Sequence, residues 1–350
     1  MENGNGISIY AGLNCSLEEN ITLMETAASL NLNRIFTSAA IPEAVDTNFD
    51  FAAILTFAIE NNFEIIVDVT PLTISNFDFE QFVLRLDDGF APIQIAALSH
   101  FRNIMLNAST VNEKLLLELV ELNANFDNIS ALHNFYPHIY TGLDVDYFSH
   151  QNNLLHKFGI LVGAFVASLN GRRRPPFEEG LPTLELTRNL STDLSSRYLT
   201  ALGTDFIIIS DALPTPQECI ALSKITPQII TLETQLLIEE PLILDILSNN
   251  PFLSRPEISP HVIRAADSRH FFKNVDILPD NNPQPRKRGD IIIDNSNFGR
   301  YMGEIQIVKT DLPPDPRVNK IAHVFNDNLP MIDCITSNTS FSFRLLTGSI

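Results

Sequence analysis

The chain has 350 residues, 45% of them hydrophobic, and a formal net charge of −19. That length exceeds what one hydrophobic core usually serves, so a large domain with a smaller companion is expected. Residues 1–250 carry 11 Lys and Arg against 31 Asp and Glu, and residues 251–350 carry 12 against 11, a surface that repels nucleic acid and anionic lipid and excludes both as partners.

An anionic ligand of the first part would need a local basic pocket. No run approaches the roughly 18 uncharged apolar residues of a membrane helix. The start MENGNGISIY lacks the basic-then-apolar layout of a secretory signal, so a cytoplasmic protein without a membrane partner is expected. Cys15, Cys219 and Cys334 stand far apart, which argues against zinc and against a disulfide framework.

Along the chain, short β-branched or aromatic runs alternate with longer segments of helical period. The strand candidates are residues 6–10 (GISIY), 34–37 (RIFT), 64–70 (EIIVDVT), 82–86, 103–107 (NIMLN), 129–134, 159–167 and 205–210 (DFIIIS). Ser16 and Glu19 fit a capping box for the first helix. Eight strands with helical spacers predict an α/β fold whose first part is a (β/α)8 TIM barrel, with an open doubly wound sheet as the alternative. Near residue 249 the texture changes: NNPFLSRPEISP reads as a linker, and short strands between turn signals follow. The division expected is 1–245 for the barrel and 246–350 for a small all-β barrel or sandwich.

In such a barrel the chemistry lies at the carboxyl ends of the strands and in the loops that follow them. The polar residues there are Tyr10, Thr37, Ser38, Asp68, Asp87, Asp88, Asn107, His133, Asn134, Tyr136, Ser210 and Asp211. The loop after strand seven adds Arg172, Arg173, Arg174, Glu178, Glu179 and Glu185. Carboxylates, amides and aromatics suit sugar recognition and acid–base cleavage of a glycosidic bond. Asp88 reads equally as a turn cap and His133 as a satisfied core histidine. Arg172 to Arg174 read as a solvated charge run or as an anion site, since Arg pairs bidentately with phosphate or carboxylate. Arg300 and Arg317 in the second part are further cation candidates. The histidines show no metal-ligand spacing, and no P-loop, GxGxxG, GxSxG or HExxH motif occurs; neither a metal nor an organic cofactor is expected.

The stretches GISIY, RIFTS, LRLDDGF, LNAST, HNFYP with TGL, EEGLPTLE with Arg188 following, and RGDIIIDNSNFGRYMGEIQI with DLPPDPRVN resemble the bacterial 6-phospho-N-acetylmuramidase family. That resemblance implies a TIM barrel joined to a cyclophilin-like β-barrel. It also implies a cytoplasmic glycoside hydrolase of cell-wall recycling that splits 6-phospho-N-acetylmuramic acid from N-acetylglucosamine. Two positions depart from the family pattern: His138 stands where an Arg commonly follows NFYP, and Pro175 where Gly is usual.

On this reading the substrate is a phosphorylated amino-sugar disaccharide. Asp87 and Glu179 are the expected acid and base or nucleophile, with Asp68 and Glu185 in reserve. Asn107, His133, Asn134 and Tyr136 would hold the sugar, and Arg174, Arg300 and Arg317 its anionic groups, the small domain helping to close the site. A non-catalytic sugar-phosphate-binding protein and a phosphosugar isomerase or lyase are the alternatives. Homo-oligomerisation stays open.

Overall fold

The computed structural model describes residues 4–38, 48–74, 82–86, 89–226 and 228–346. The chain divides into two compact units, Met1–Pro227 and Gln228–Ile350.

The first unit is a closed barrel of eight parallel strands in sequential order. They are β1 (Gly6–Ser8), β2 (Arg34–Ser38), β3 (Glu64–Val69), β4 (Phe82–Leu86), β5 (Ile104–Asn107), β6 (Ile129–Leu132), β7 (Leu161–Val166) and β8 (Phe206–Ile209). Gly6 pairs with Ile208, which closes the ring. The helices are α1 (Leu17–Ser29), α2 (Asn48–Glu60), α3 (Pro92–Ser99), α4 (Glu113–Glu121), α5 (Val145–His156), α6 (Thr192–Ala201) and α7 (Pro216–Ser223). The capping box read from Ser16 and Glu19 is formed, and Thr215 and Glu218 build another in front of Pro216; each such cap contributes about 1 kcal/mol.

Alternation along each strand sorts side chains between the barrel interior and the helices. The interior is packed by Tyr10, Phe36, Ile66, Val83, Met105, Leu132, Phe165, Phe206 and Ile208, with the Phe36 and Phe165 rings edge to face at 5.0 Å. Gly163 in β7 is dictated by this packing, because a Cβ there would overlap the Phe206 ring.

The second unit is a curled seven-stranded sheet in the order β10-β15-β9-β14-β12-β13-β11. Its elements are β9 (Ile229–Leu236), α8 (Pro241–Asn249), β10 (Phe252–Leu253), β11 (Val262–Arg264), β12 (Asp290–Asp294), β13 (Ile305–Val308), β14 (Val318–Val324), α9 (Leu329–Ile332) and β15 (Ser340–Leu345). Just beyond the two edge strands the chain pairs through a Ser254–Ala265 bridge, so the sheet curls back on itself.

The structure corrects the reading of the junction. Ile229–Leu236 lies inside the second sheet, parallel to β15 and antiparallel to β14, and the division falls at Pro227 rather than at 245. The stretch NNPFLSRPEISP is no linker: Phe252 pairs with Phe341 in the sheet, and its ring stacks on that partner at 5.7 Å.

Candidate active site

The carboxyl ends of the barrel strands carry the candidate residues, and strand parity decides which face the interior. Val83 belongs to the interior cluster, so Arg85, two residues on, shares its face; the same parity brings Asp68 after Ile66 and Asn134 after Leu132 to that face. Arg85 is 4% exposed. Its Nη1 donates to Asp68 Oδ1 at 2.7 Å and its Nη2 to Asn134 Oδ1 at 2.6 Å. The same Nη2 lies 3.3 and 3.5 Å from the carbonyls of Leu132 and His133. One guanidinium therefore ties the ends of β3, β4 and β6 together. Sequence reasoning missed Arg85, although the Val83–Arg85 alternation in LRLDDGF pointed to it. Asp87 and Asp88 lie outside the described residues.

A second cation sits on an aromatic platform. The Arg174 guanidinium lies 4.6 Å from the Tyr10 ring centroid and 5.5 Å from that of Phe135, within cation–π range. The Tyr10 hydroxyl donates to Ser210 O at 2.9 Å, and burial pushes its pKa up to about 12 despite the nearby Arg174. Tyr10 is thus a neutral platform rather than an acid at ordinary pH. Asp211, fully buried, accepts from the backbone N–H of Arg174 at 3.1 Å and of Ser168 at 2.8 Å; burial raises its pKa, and its carboxyl shapes the loop. The run of three arginines separates by role. Arg172 forks onto Glu19 at 3.0 and 2.8 Å and Arg173 donates to Ser168 O at 3.0 Å, so Arg174 alone of the three lies on the platform.

The two glutamates of the strand-seven loop differ as sharply. Glu179, half-buried, accepts from Ile139 N at 3.0 Å, and its other oxygen accepts nothing among the described residues. Glu185 accepts from Tyr140 N at 2.9 Å and Gly142 N at 2.8 Å. It also takes both arms of Arg188, at 2.7 and 2.6 Å. Arg188 holds its carboxyl down at about 2, which leaves Glu185 a staple between two loops, not a proton donor. Arg188 is 3% exposed and also donates to the carbonyls of Tyr136, Gly180 and His138. The sequence reading noted Arg188 but gave it no role.

His133 does not face the interior. Its neighbour Leu132 does, and parity turns His133 toward α5, where it is completely buried with its ring 4.6 Å from that of Phe148. Its Nε2 lies 2.9 Å from Asn152 Oδ1 and its Nδ1 3.1 Å from Ser109 Oγ. The amide oxygen only accepts, so Nε2 carries the proton and the Ser109 hydroxyl donates to Nδ1. Ser109 Oγ in turn accepts from Asn134 N at 2.9 Å. Burial lowers the His133 pKa to about 4; the neutral ring positions the backbone of Asn134 and does not touch a ligand in the barrel mouth.

Asn107 folds into its own turn, Oδ1 accepting from Ser109 N at 3.1 Å, and lines a pocket of 250 Å³ with Leu86, Thr110 and Leu115. Tyr136 is half-buried, and burial raises its pKa. In the second unit Arg300 is exposed, with Nη2 donating to Tyr301 Oη at 2.9 Å. Arg317 forks onto Asp315 at 2.9 and 2.8 Å and lies over the Phe298 ring. Among the described residues no group of three or more His, Cys, Asp or Glu is placed to hold a metal ion, and no helix is long and apolar enough to cross a membrane.

Comparisons with known proteins follow the same division. A crystal structure of an uncharacterized B. cereus protein superposes with a TM-score of 0.86 at 28% identity, over 98% of this chain and 100% of that one. A conserved protein of unknown function from Enterococcus faecalis gives 0.64 at 27% identity, over 97% and 96%. No curated protein matches. Residues 5–224 match the N-terminal family model of 6-phospho-N-acetylmuramidase, and residues 230–344 the C-terminal one. The chain belongs to the 6-phospho-N-acetylmuramidase family.

Proposed function

We propose that the barrel mouth hydrolyses the glycosidic bond of a 6-phospho-N-acetylmuramyl glycoside, releasing N-acetylglucosamine from the disaccharide in a cytoplasmic step of cell-wall recycling. The observation that carries this reading is the sorting of charged groups on one loop. Glu185 is consumed by four donors, one oxygen of Glu179 accepts nothing among the described residues, and Arg174 sits on Tyr10 and Phe135.

Glu179 is assigned one half of the carboxyl pair and Asp87 the other. One protonates the leaving oxygen as the bond to the anomeric carbon breaks, and the other takes the proton of the attacking water or attacks the carbon itself. Asp68 stays in reserve, and Glu185 moves from the reserve to loop support. Arg174 takes the phosphate or the lactyl carboxylate, since a guanidinium pairs bidentately with an oxyanion. Asn134 and Tyr136 contact the sugar. Arg300 and Arg317 are assigned only a minor part, because Arg317 already has a carboxylate partner.

The test incubates purified protein with the phosphorylated disaccharide in ¹⁸O-labelled water and follows free N-acetylglucosamine and label in the sugar products. Release with one labelled oxygen per cleavage supports hydrolysis. Binding without release favours the non-catalytic sugar-phosphate-binding reading, and cleavage without label favours a lyase.

A further inference from the structure

The second unit holds a cavity of 660 Å³ lined by its own residues, within the size range of pockets that enclose a small organic ligand. Its floor is apolar: Ile243 from α8, Ile321 from β14, and Phe272 and Ile277 between them in the chain are all buried. At the mouth Leu242, Val275 and Leu278 are exposed, Leu278 to 72%, an apolar surface that a bound body would take out of water. The wall that carries Leu278 is held in place. Ser296 N donates to Ile277 O at 2.9 Å. Asn319 donates through Nδ2 to Leu278 O at 2.7 Å, and its Oδ1 accepts from Asp280 N at 3.0 Å. A ligand that meets a preformed wall loses little affinity to ordering it.

Charge decides the class of ligand. Glu239, Glu240, Asp276 and Asp280 stand on the same lining, and the side-chain oxygens of Glu239, Glu240 and Asp276 accept from no donor among the described residues. Elsewhere in this unit cations take up the carboxylates: Arg255 and Arg264 meet Glu304, Lys287 meets Asp311, Arg288 meets Asp333 and Arg317 meets Asp315. The cation of the lining, Lys320, is engaged by Asp290 at 2.7 Å. The four acids are not grouped to hold a metal ion, so their charge surrounds the opening instead of converging on a point. We infer that this cavity is a binding site for a small organic cation, with an apolar body on the floor and an ammonium or guanidinium group among Glu239, Glu240 and Asp276. A bare polyamine would leave the apolar floor wet, and an anion would be repelled by the rim. The inference stands apart from the proposed hydrolysis, which uses the barrel mouth.

The test titrates the full chain with dansylcadaverine, an ammonium group on a naphthalene body, and follows fluorescence anisotropy. Its N-acetylated form, which is neutral, and the corresponding dansyl carboxylate are the matched probes; cadaverine is the competitor without an apolar body. Wild type binds the amine saturably and at least about tenfold more tightly than the neutral form. It binds the carboxylate least, and added salt weakens the amine alone. The triple variant Glu239→Gln, Glu240→Gln, Asp276→Asn changes only exposed side chains. It brings the amine down to the affinity of the neutral form, which itself stays unchanged. Val275→Arg sets a cation at the mouth and weakens the amine more than the neutral form. Thermal melts confirm folding; if the triple variant fails to fold, Val275→Arg decides. The inference is overturned if the amine and its neutral form bind alike, if no saturable binding occurs, or if cadaverine competes as well as the dansyl amine. It is also overturned if the folded variants keep the preference, which would assign it to the general attraction of a chain of net charge −19.

Discussion

Two arginine–carboxylate pairs sit at the carboxyl end of the same barrel and do different work. Arg188 and Glu185 close on each other and on the loops around them, with every oxygen of Glu185 met by two donors. Arg85 reaches Asp68 through one arm and Asn134 through the other, and the Nδ2 donors of Asn134 meet no acceptor among the described residues. A buried ion pair shows only that charges were placed with care. The polar atoms left over separate a scaffold from a binding site.

The comparison can be broken first at Glu179, one oxygen of which accepts nothing among the described residues. Glu179→Gln should lower kcat about 10²- to 10⁴-fold with little change in melting temperature, the size expected for loss of a general acid or base. Steady-state kinetics beside a thermal melt checks this; unchanged kcat would remove Glu179 from the chemistry. Glu185→Ala should do the reverse. Leaving Arg188 buried beside no carboxylate should cost about 3 kcal/mol of stability, and chemical denaturation would show it.

Acid sharpens the same contrast through two successive windows that overlap near pH 4. The folded-state pKa of His133, near 4, lies below its unfolded value near 6.5. The unfolded chain therefore binds the proton first, and the stability His133 contributes is complete above pH 6.5 and lost as pH falls toward 4. Its size is on the order of 3 kcal/mol. Glu185, held near 2 against an ordinary 4.5, loses its contribution lower, between pH 4.5 and 2. Denaturant midpoints at pH 7, 5 and 3.5 should fall in two stages, with His133→Gln removing the upper one. An unchanged upper stage in that variant would refute the assignment to His133.

The smallest effect is expected at Arg317→Ala. Its side chain is 54% accessible where it meets the half-buried Asp315, and ion pairs with so exposed a partner contribute roughly 0–1 kcal/mol. A large loss of ligand affinity in this variant would show that Arg317 takes a substantial part in anion recognition.

The barrel was legible because its strands are β-branched and aromatic runs punctuated by capped helices, and those local signals agree with the final packing. The junction was not. Ile229–Leu236 reads as well after a barrel as inside a second sheet, and only its pairing with β14 and β15 decides. Which residues face the barrel interior turns on a single step of parity. His133 and Asn134 stand at the same strand end, but Leu132 occupies the interior and sends His133 to the helix layer. Arg85 escaped notice because a charge inside an apolar strand looks like an anomaly until its partners on β3 and β6 are seen. Glu179 and Glu185 were indistinguishable in the sequence, since the donors that engage Glu185 come from a loop some 45 residues earlier and from Arg188.

The central claim is that this site cleaves a glycoside because it can grip a phosphorylated muramyl sugar. The direct measurement is kcat/KM for the disaccharide with and without its 6-phosphate, on wild-type protein and on Arg174→Met. The account predicts cleavage that depends strongly on the phosphate in wild type and loses most of that dependence in the variant. Equal rates on both disaccharides, or no cleavage of either, would contradict it.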